Sequence, residues 1–250
     1  MSDHNRVAPA NPQAEGCVES LRVKVADHDM HFRRAGSGSP VLLLHGGAND
    51  SSDWIETMSI FSKDYSLYAP DLVGYGLSDR KDAGYRLSDF TEATLALMRN
   101  LSLGSVFMVG HSLGGRVCLE IAIRHPEMVR RLVLIDTAGF SRLTRLGGFL
   151  GMAAWGVRRM LKRPQPYPKI VMENGAYGHW MCLESLPELR VPTLIVWSHI
   201  DPYYPLAGAL SAVDLMPQAR LEIFSGYGHA PHRADKDRFH ALLRGFLSQG

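Results

Sequence analysis

Short apolar runs that end in turn residues recur along this chain, and stretches with helical periodicity separate most of them. Runs such as "VLLLHGG" (41–47), "SVFMVG" (105–110) and "VPTLIVW" (191–197) are apolar without alternation, which is typical of strands buried on both faces of a sheet. Helical stretches between such strands imply right-handed crossovers and parallel pairing. The pattern therefore predicts an α/β fold with a mostly parallel, twisted sheet and helices on both faces.

The remaining strands of the predicted sheet follow from the same reading. Two edge strands are predicted in "CVESLRVKV" and "DMHFRRAG", and three more in "YSLYAP", "VRRLVLID" and "ARLEIF", which gives eight in all. We predict helices over 87–103, 113–126, 207–216 and 236–247. Ser88 is the expected N-cap of the first of them.

The segment 137–191 contains no convincing strand, and its helical pattern is irregular. A structureless loop of this length is uncommon inside a compact domain, so an inserted lid is the better interpretation. We therefore predict a loose tail over 1–20, a core in two parts (21–136 and 192–250) and a short lid over 137–191 between them.

Composition excludes several classes of protein. With 27 basic and 25 acidic residues, the net charge of +2 gives no reason to expect a nucleic-acid partner. No apolar run reaches the roughly 18 residues of a membrane-spanning helix. Three widely spaced cysteines without a CxxC motif argue against a zinc site or a disulfide framework and favour a cytoplasmic location. The composition leaves the oligomeric state open.

The stretch "VGHSLGG" (109–115) places a serine directly between a predicted strand and a predicted helix. That context is the one a nucleophile elbow requires, with Gly110 and Gly114 relieving the crowding of a sharp turn. Ser112 is therefore the candidate nucleophile.

A serine hydroxyl needs a base and an orienting acid. Among eleven histidines, His229 follows the last predicted strand on a glycine-rich loop at the same edge of the sheet as Ser112, and His232 is its competitor. Two carboxylates between serine and histidine come directly after parallel strands, Asp201 and Asp136. Asp201 is preferred because its strand neighbours the one that precedes His229.

Catalysis by acyl transfer also requires donors for the oxyanion. The third predicted strand ends in "HGGAND", so the backbone N–H of Gly47 is one candidate donor. The other is the N–H of Leu113, which lies at a helix N-terminus where an anion is favoured.

Six segments together resemble the α/β-hydrolase superfamily: "LLLHGG", "APDLVGYGLSD", "GHSLGG", "LVLID", "PTLIVWSHID" and "GYGHAPH". They cover 21–247 in the order that the family shows. The resemblance implies Ser112 as nucleophile, Asp201 as acid, His229 as base, and Gly47 and Leu113 as the oxyanion-hole positions. It implies no metal and no cofactor.

The predicted lid carries seven basic and no acidic residues over 137–171, around the apolar run "GGFLGMAAWGV". The simplest interpretation is a helix that buries Phe149, Leu150, Met152 and Trp155 over the site. Recognition of an anionic or acyl-chain substrate, or contact with a lipid surface, are the alternatives. Trp155, His179 and Trp180 are candidate pocket residues.

These features predict a serine hydrolase that cleaves a small carboxylic ester, lactone or thioester through an acyl-enzyme. Hydrolysis of a carbon–carbon bond in a diketone-like substrate is an alternative within the same chemistry, because the elbow does not specify the leaving group. A cofactor-free lyase and a small-molecule receptor that retains the triad are alternatives from other classes.

Overall fold

Eight strands form one sheet in the computed structural model, which describes residues 17–80, 85–162 and 180–249. The strands are β1 (Glu19–Val25), β2 (His28–Ala35), β3 (Ser39–Leu44), β4 (Tyr65–Pro70), β5 (Val106–His111), β6 (Val129–Ile135), β7 (Thr193–Ile200) and β8 (Ala219–Tyr227). Their order is β1-β2-β4-β3-β5-β6-β7-β8. Pairing is antiparallel at β1/β2 and β2/β4 and parallel across the other five neighbours. The predicted mostly parallel sheet of eight strands is confirmed, although β2 lies one place inside the edge.

The helices of the described residues are α1 (Ile55–Phe61), α2 (Leu87–Asn100), α3 (Leu113–Arg124), α4 (Arg145–Met160), α5 (Leu206–Leu215), α6 (Pro231–Ala234) and α7 (Lys236–Leu247). The sequence pattern missed α1. The predicted N-cap of α2 is wrong: Arg86 is the N-cap, Ser88 lies inside the helix, and the Asp89 carboxylate accepts a hydrogen bond from the Arg86 N–H at 2.6 Å.

Alternate residues of the central strands point to opposite faces of the sheet, as the pleat requires. In β3, Leu42 and Leu44 pack in the core cluster that includes α2, α3 and α5, whereas Val41 and Leu43 pack in the cluster that includes α1 and α7. Because both faces are covered by helices, the central strands are apolar at nearly every position. This arrangement leaves the carboxyl edge of the parallel strands free for the site.

The described part of the predicted lid contains α4, but the helix does not bury the residues expected of it. Phe149 is 70% exposed and Met152 38% exposed, while Leu150 and Trp155 are only partly buried. The buried positions of α4 are Gly147 and Gly151 instead. The expectation of a large apolar face packed over the site is therefore wrong, and small residues make the contact.

The ends of the predicted segments are only partly covered by the described residues. Residues 1–16 and 163–179 lie outside them, so the tail and the lid boundaries stay predictions. The first strand begins at Glu19, two residues before the predicted start of the core. Within the described residues, no helix is both long and apolar enough to cross a bilayer.

The loop after β4 is organised by one buried carboxylate. Asp71 accepts hydrogen bonds from the Ser51 N–H at 2.6 Å, the Leu77 N–H at 2.7 Å and the His31 ring at 2.8 Å. Gly76 passes this carboxylate with a φ of +49°, and a Cβ there would lie 2.1 Å from the Asp71 Oδ2. Only glycine can adopt this positive φ without strain and also leave room for the Asp71 carboxylate.

Gly76→Ala is expected to lower the free energy of unfolding by about 2–4 kcal/mol, because the added methyl group disrupts the hydrogen bonds of a buried carboxylate. Gly245→Ala is the matched control, since Gly245 lies inside α7 and a Cβ there meets nothing within 4 Å. The control should be neutral or stabilising by up to about 1 kcal/mol. Urea unfolding of both variants measures the difference, and equal stabilities would contradict the account of this loop.

Candidate active site

The turn between β5 and α3 carries Ser112 in a strained conformation. Its φ is 51° and its ψ is −110°, a region that non-glycine residues rarely occupy. The Ser112 N–H donates to the Ile135 carbonyl at 2.9 Å, which fixes the turn against β6. A strained residue held by its surroundings at a strand–helix junction is typical of a functional position.

Two glycines make this turn possible. A Cβ at Gly110 would lie 2.5 Å from the Gly114 carbonyl oxygen, and a Cβ at Gly114 would lie 2.4 Å from the Leu44 carbonyl oxygen. The prediction that these glycines relieve crowding is confirmed. The turn therefore brings the start of α3 against the end of β3.

Three side chains from three loops form one hydrogen-bonded chain at the carboxyl edge of the sheet. The Ser112 Oγ lies 2.8 Å from the His229 Nε2, and the His229 Nδ1 lies 2.8 Å from the Asp201 Oδ2. Because the carboxylate accepts the proton of Nδ1, Nε2 carries a lone pair toward the hydroxyl. Such an arrangement can draw the proton from Ser112.

The surroundings of Asp201 hold it in this position. Its side chain is fully buried, and its Oδ1 accepts a hydrogen bond from the Tyr203 N–H at 2.7 Å. The Tyr203 ring lies 4.5 Å from the His229 ring, centroid to centroid. Sequence reasoning missed Tyr203, although its position two residues after a candidate acid was a usable signal.

The alternative acid, Asp136, lies close by without contacting the histidine. Both of its oxygens are engaged by Ser198, with the backbone N–H at 2.7 Å and the hydroxyl at 2.8 Å. Burial raises the pKa of Asp136 to about 7. The geometry therefore favours Asp201 as the partner of His229.

The alternative base, His232, lies away from the serine. Its ring stacks on Trp54 at 5.1 Å, and its Nε2 is 3.7 Å from the Asp53 Oδ2. Burial lowers its pKa, so the ring is uncharged near neutral pH. Of the two histidines, only His229 is hydrogen-bonded to Ser112.

His111, next to Ser112, contacts the loop that carries His229. Its Nε2 donates to the backbone carbonyl of His229, and burial lowers the pKa of the ring well below 6.5. A neutral ring with its proton on Nε2 fits this contact. The sequence analysis left this residue without a role.

Gly47 and Leu113 line the same cavity as Ser112. The amides of Gly47 and Leu113 have no hydrogen-bond partner among the described residues. The adjacent His45 ring fixes the first loop, because its Nδ1 donates to the Gly46 carbonyl at 2.9 Å and its Nε2 accepts from the Leu72 N–H at 3.0 Å. Gly47 and Leu113 therefore stay the candidates for the oxyanion donors.

A cavity opens over these groups. Within the part of the chain that the structure describes, it is lined by Gly46, Gly47, Ala48, Asn49, His111, Ser112, Leu113, Ala138, Ala154, Trp180, Tyr203, Tyr204 and His229. No lysine, arginine or carboxylate is among these lining residues, so the described wall is mainly apolar with a few polar groups.

The three predicted pocket residues have different outcomes. Trp180 lines the cavity, as predicted. Trp155 is not among the described lining residues, whereas its neighbour Ala154 is. Consecutive residues of a helix are rotated by about 100°, so Trp155 points in another direction than Ala154. The Arg159 guanidinium lies 5.4 Å from the centre of the Trp155 ring. His179 lies outside the described residues.

Two groups of side chains have the composition of a metal site. Asp136, Asp201 and His229 form one, and Asp53, His111 and His232 form the other, each with potential ligand atoms within 4.8 Å of one another. The carboxylates are already engaged, since both oxygens of Asp201 accept hydrogen bonds and Asp53 pairs with Arg233. A metal ion in either group would therefore compete with these protein hydrogen bonds and this ion pair.

Comparison with known proteins agrees with the geometry of the fold. The family model described as alpha/beta hydrolase fold matches residues 39–165. The chain is 34% identical to 2-hydroxy-6-oxo-2,4-heptadienoate hydrolase of Pseudomonas putida, over 88% of this chain and 93% of that protein. It is 28% identical to 2-hydroxymuconate semialdehyde hydrolase of a Pseudomonas species, over 97% of both.

Solved structures show the same fold. A meta-cleavage product hydrolase from Pseudomonas fluorescens superposes with a TM-score of 0.77 at 24% identity, over 92% of this chain and 97% of that one. Carboxylesterase CesB from Bacillus subtilis gives 0.76 at 21% identity, over 93% and 92%. The chain belongs to the α/β-hydrolase family.

The two candidate acids are distinguished by substitution. Asp201→Asn should reduce kcat for a hydrolysed substrate by about 10³- to 10⁴-fold, because the amide no longer holds the proton of His229 on Nδ1. Asp136→Asn, the matched control, should keep kcat within about tenfold, since that carboxyl bonds to Ser198 and not to His229. Steady-state kinetics on folded proteins measure both, and the opposite order would assign the acid to Asp136.

Proposed function

We propose that this protein is a serine hydrolase that cleaves a small carboxylic ester, lactone or thioester through an acyl-enzyme on Ser112. The observation that carries the proposal is the continuous hydrogen-bonded chain from Ser112 through His229 to Asp201 beside two unpaired backbone amides. His229 is the proposed base, Asp201 its orienting acid, and the amides of Gly47 and Leu113 the proposed oxyanion donors.

In the first half-reaction, the Ser112 Oγ attacks the substrate carbonyl carbon while its proton passes to the His229 Nε2. The carbonyl oxygen becomes an oxyanion, and two fixed N–H donors stabilise it without reorganisation. Asp201 stabilises the imidazolium that forms. Collapse of the tetrahedral intermediate transfers the proton from His229 to the leaving alcohol or thiol and leaves the acyl group on Ser112.

In the second half-reaction, water takes the place of the leaving group. His229 removes a proton from the water as it attacks the acyl carbon, and the same proton then returns to the Ser112 Oγ as the acid departs. The cycle consumes one water molecule and restores the resting hydrogen bonds. Every proposed step uses groups of this chain, so the proposal includes no cofactor.

The cavity wall favours an uncharged acyl group. Its described residues supply the Trp180 ring, two tyrosines and Asn49 but no cation. Arg116 lies behind this wall, where its Nε donates to the Trp180 carbonyl, but its charge is paired with Glu120 at 2.9 Å. A neutral ester, lactone or thioester therefore fits the described wall better than a carboxylate-bearing substrate.

Carbon–carbon bond hydrolysis is the second candidate, and the names of two relatives favour it. A heptadienoate carries a carboxylate, and the described cavity wall offers it no lysine or arginine. The two candidates thus differ in the charge that the substrate presents to the pocket.

The proposal is tested with purified protein on p-nitrophenyl esters, lactones, acyl thioesters and a 2-hydroxy-6-oxo-dienoate, with the mass of each product determined. Ester, lactone or thioester hydrolysis that Ser112→Ala abolishes supports the proposal. Cleavage of the dienoate alone would establish the second candidate. A product without the mass of added water would indicate a lyase, and no turnover together with ligand-dependent partner binding would indicate a receptor.

His229→Ala should reduce turnover of the best ester by at least about 10³-fold, because the hydroxyl loses its proton acceptor. His232→Ala is the control: it loses packing against Trp54 but no contact with Ser112, so its kcat should stay within about tenfold. Circular dichroism confirms that both variants fold. A larger loss in the His232 variant would move the base to that residue.

Trp180→Ala should raise KM for bulky or long-chain esters by about tenfold, because a large aromatic surface is lost from the cavity, and leave kcat for acetate esters within a few-fold. Trp155→Ala is the matched control, since its ring contacts Arg159 outside the described wall. Kinetics on acetate and octanoate esters make the comparison. Equal KM changes in both variants would remove Trp180 from the pocket.

The rest of the proposal concerns organisation and location. We propose that 21–136 and 192–250 form the catalytic core and that 137–191 acts as its lid, which the contact of Ala154 with the cavity supports. A cytoplasmic location is proposed on the three unpaired cysteines, two of which are buried. The proposed partner is a small-molecule substrate.

A further inference from the structure

The lid helix α4 contacts the protein body through its smallest residues. Gly147 and Gly151 are buried, and a Cβ at Gly147 would lie 2.7 Å from the Tyr203 Cα. Ala154, one turn further along the same face, lines the cavity. This inner face lets the helix approach the body closely, but it buries little apolar surface.

The outer face of α4 carries large apolar side chains instead. Leu146, Phe149, Val157 and Met160 follow one another at spacings that place them on a single side of a helix, and they are 56%, 70%, 56% and 84% exposed. An amphipathic helix of a globular protein normally turns such residues toward the core. We call these four residues the outer apolar face.

Basic side chains frame this face at both ends of the helix. Arg142 and Arg145 lie at its start and Arg159 and Lys162 at its end, and all four are exposed. None of them has an ion-pair partner among the described residues. Residues 137–162 contain five arginines and lysines and no aspartate or glutamate, so all the charge of this segment is positive in a chain with a net charge of only +2.

We propose that α4 docks with its outer apolar face on the surface of a membrane that contains anionic lipids. A helix that lies in the interface inserts an apolar face at the level of the acyl-chain boundary while cations at its borders attract anionic headgroups. Charge complementarity is the reason for proposing a membrane surface as the partner. The cations at both ends of the outer apolar face would contact the anionic headgroups, while the apolar side chains would contact the hydrocarbon below them. The helix lies on the surface and does not span it, in accord with its 16 residues.

This inference does not depend on the proposed reaction, because no residue of the outer apolar face lines the described cavity. Docking would also affect how substrates reach the cavity. The helix that would dock is the one whose inner face borders the cavity through Ala154, so docking would hold the site beside the lipid surface.

The proposal is tested by sedimentation of the full chain carrying Ser112→Ala with vesicles of phosphatidylcholine alone and of phosphatidylcholine mixed with phosphatidylglycerol. The substitution removes the proposed nucleophile, so lipid hydrolysis does not confuse the result. We expect partitioning onto the mixed vesicles that exceeds partitioning onto the neutral ones by at least about tenfold and that weakens as salt is raised.

Variants separate the two contributions to docking. Phe149→Ser with Met160→Ser should lower partitioning onto mixed vesicles by at least about tenfold, and Arg145→Gln with Lys162→Gln should remove most of the preference for anionic lipid. The matched controls are Ile60→Ser with Leu210→Ser, at two exposed apolar positions elsewhere (39% and 46%), and Lys24→Gln with Lys63→Gln. Both controls should bind as the parent does, and thermal melts confirm that all variants fold.

Three results would overturn the proposal. One is no partitioning onto either kind of vesicle. Another is a loss of partitioning in the control variants that is as large as the loss in the α4 variants. The third is a dimer in sedimentation velocity that Phe149→Ser with Met160→Ser dissociates, without vesicle binding, because the face would then join two copies of the chain.

Discussion

The close approach of the β5–α3 turn to the end of β3 is the constraint on which the site depends. Gly114 allows this approach, since a Cβ there would lie 2.4 Å from the Leu44 carbonyl oxygen at the end of β3. Gly110 relieves crowding inside the turn itself, where a Cβ would lie 2.5 Å from the Gly114 carbonyl oxygen. The Gly114 N–H then donates to the His45 carbonyl at 3.2 Å. This contact sets Ser112 and the start of α3 beside the glycine loop after β3, which lies more than 60 residues earlier in the sequence.

The parallel sheet brings the other groups to the same place. Because β5, β7 and β8 run in one direction, the loops that follow them meet at one edge, where ligands of open α/β sheets bind. Asp201 follows β7 and His229 follows β8. Because these two strands are neighbours in the sheet, the side chains of Asp201 and His229 are close enough to form a hydrogen bond. Asp201 is held by a hydrogen bond from the Tyr203 N–H, and the loop of His229 is held by a hydrogen bond from the His111 ring.

Much of the fold and of the candidate site was predictable from the sequence, because strands that are buried on both faces of a sheet have a recognisable pattern. The central strands are continuous apolar runs, and their ends carry the site residues in the chain order of the family. The missed helix α1 had a weaker signal, although Trp54, Met58 and Phe61 are spaced for one helical face and all are buried. The N-cap of α2 was misplaced because Ser88 is a common capping residue, whereas the structure uses Arg86 and the side chain of Asp89.

Other features depend on contacts that the sequence does not encode locally. Asp136 and Asp201 both follow parallel strands, so strand order gave only a preference for Asp201, and their hydrogen-bond partners in the structure distinguish the two. The orientation of α4 was predicted wrongly because periodicity identifies an apolar face without saying what covers it. In the structure, glycines at 147 and 151 take the inner side and leave Phe149 outside.

The central claim is that Ser112 is a nucleophile activated through His229, and covalent labelling tests it most directly. The intact protein is treated with an organophosphonate ester, and the adduct is located by mass spectrometry of its peptides. The account predicts one adduct per chain, on Ser112, that is absent from Ser112→Ala and forms far more slowly in His229→Ala. An adduct on another serine, or one that persists in Ser112→Ala, would contradict it.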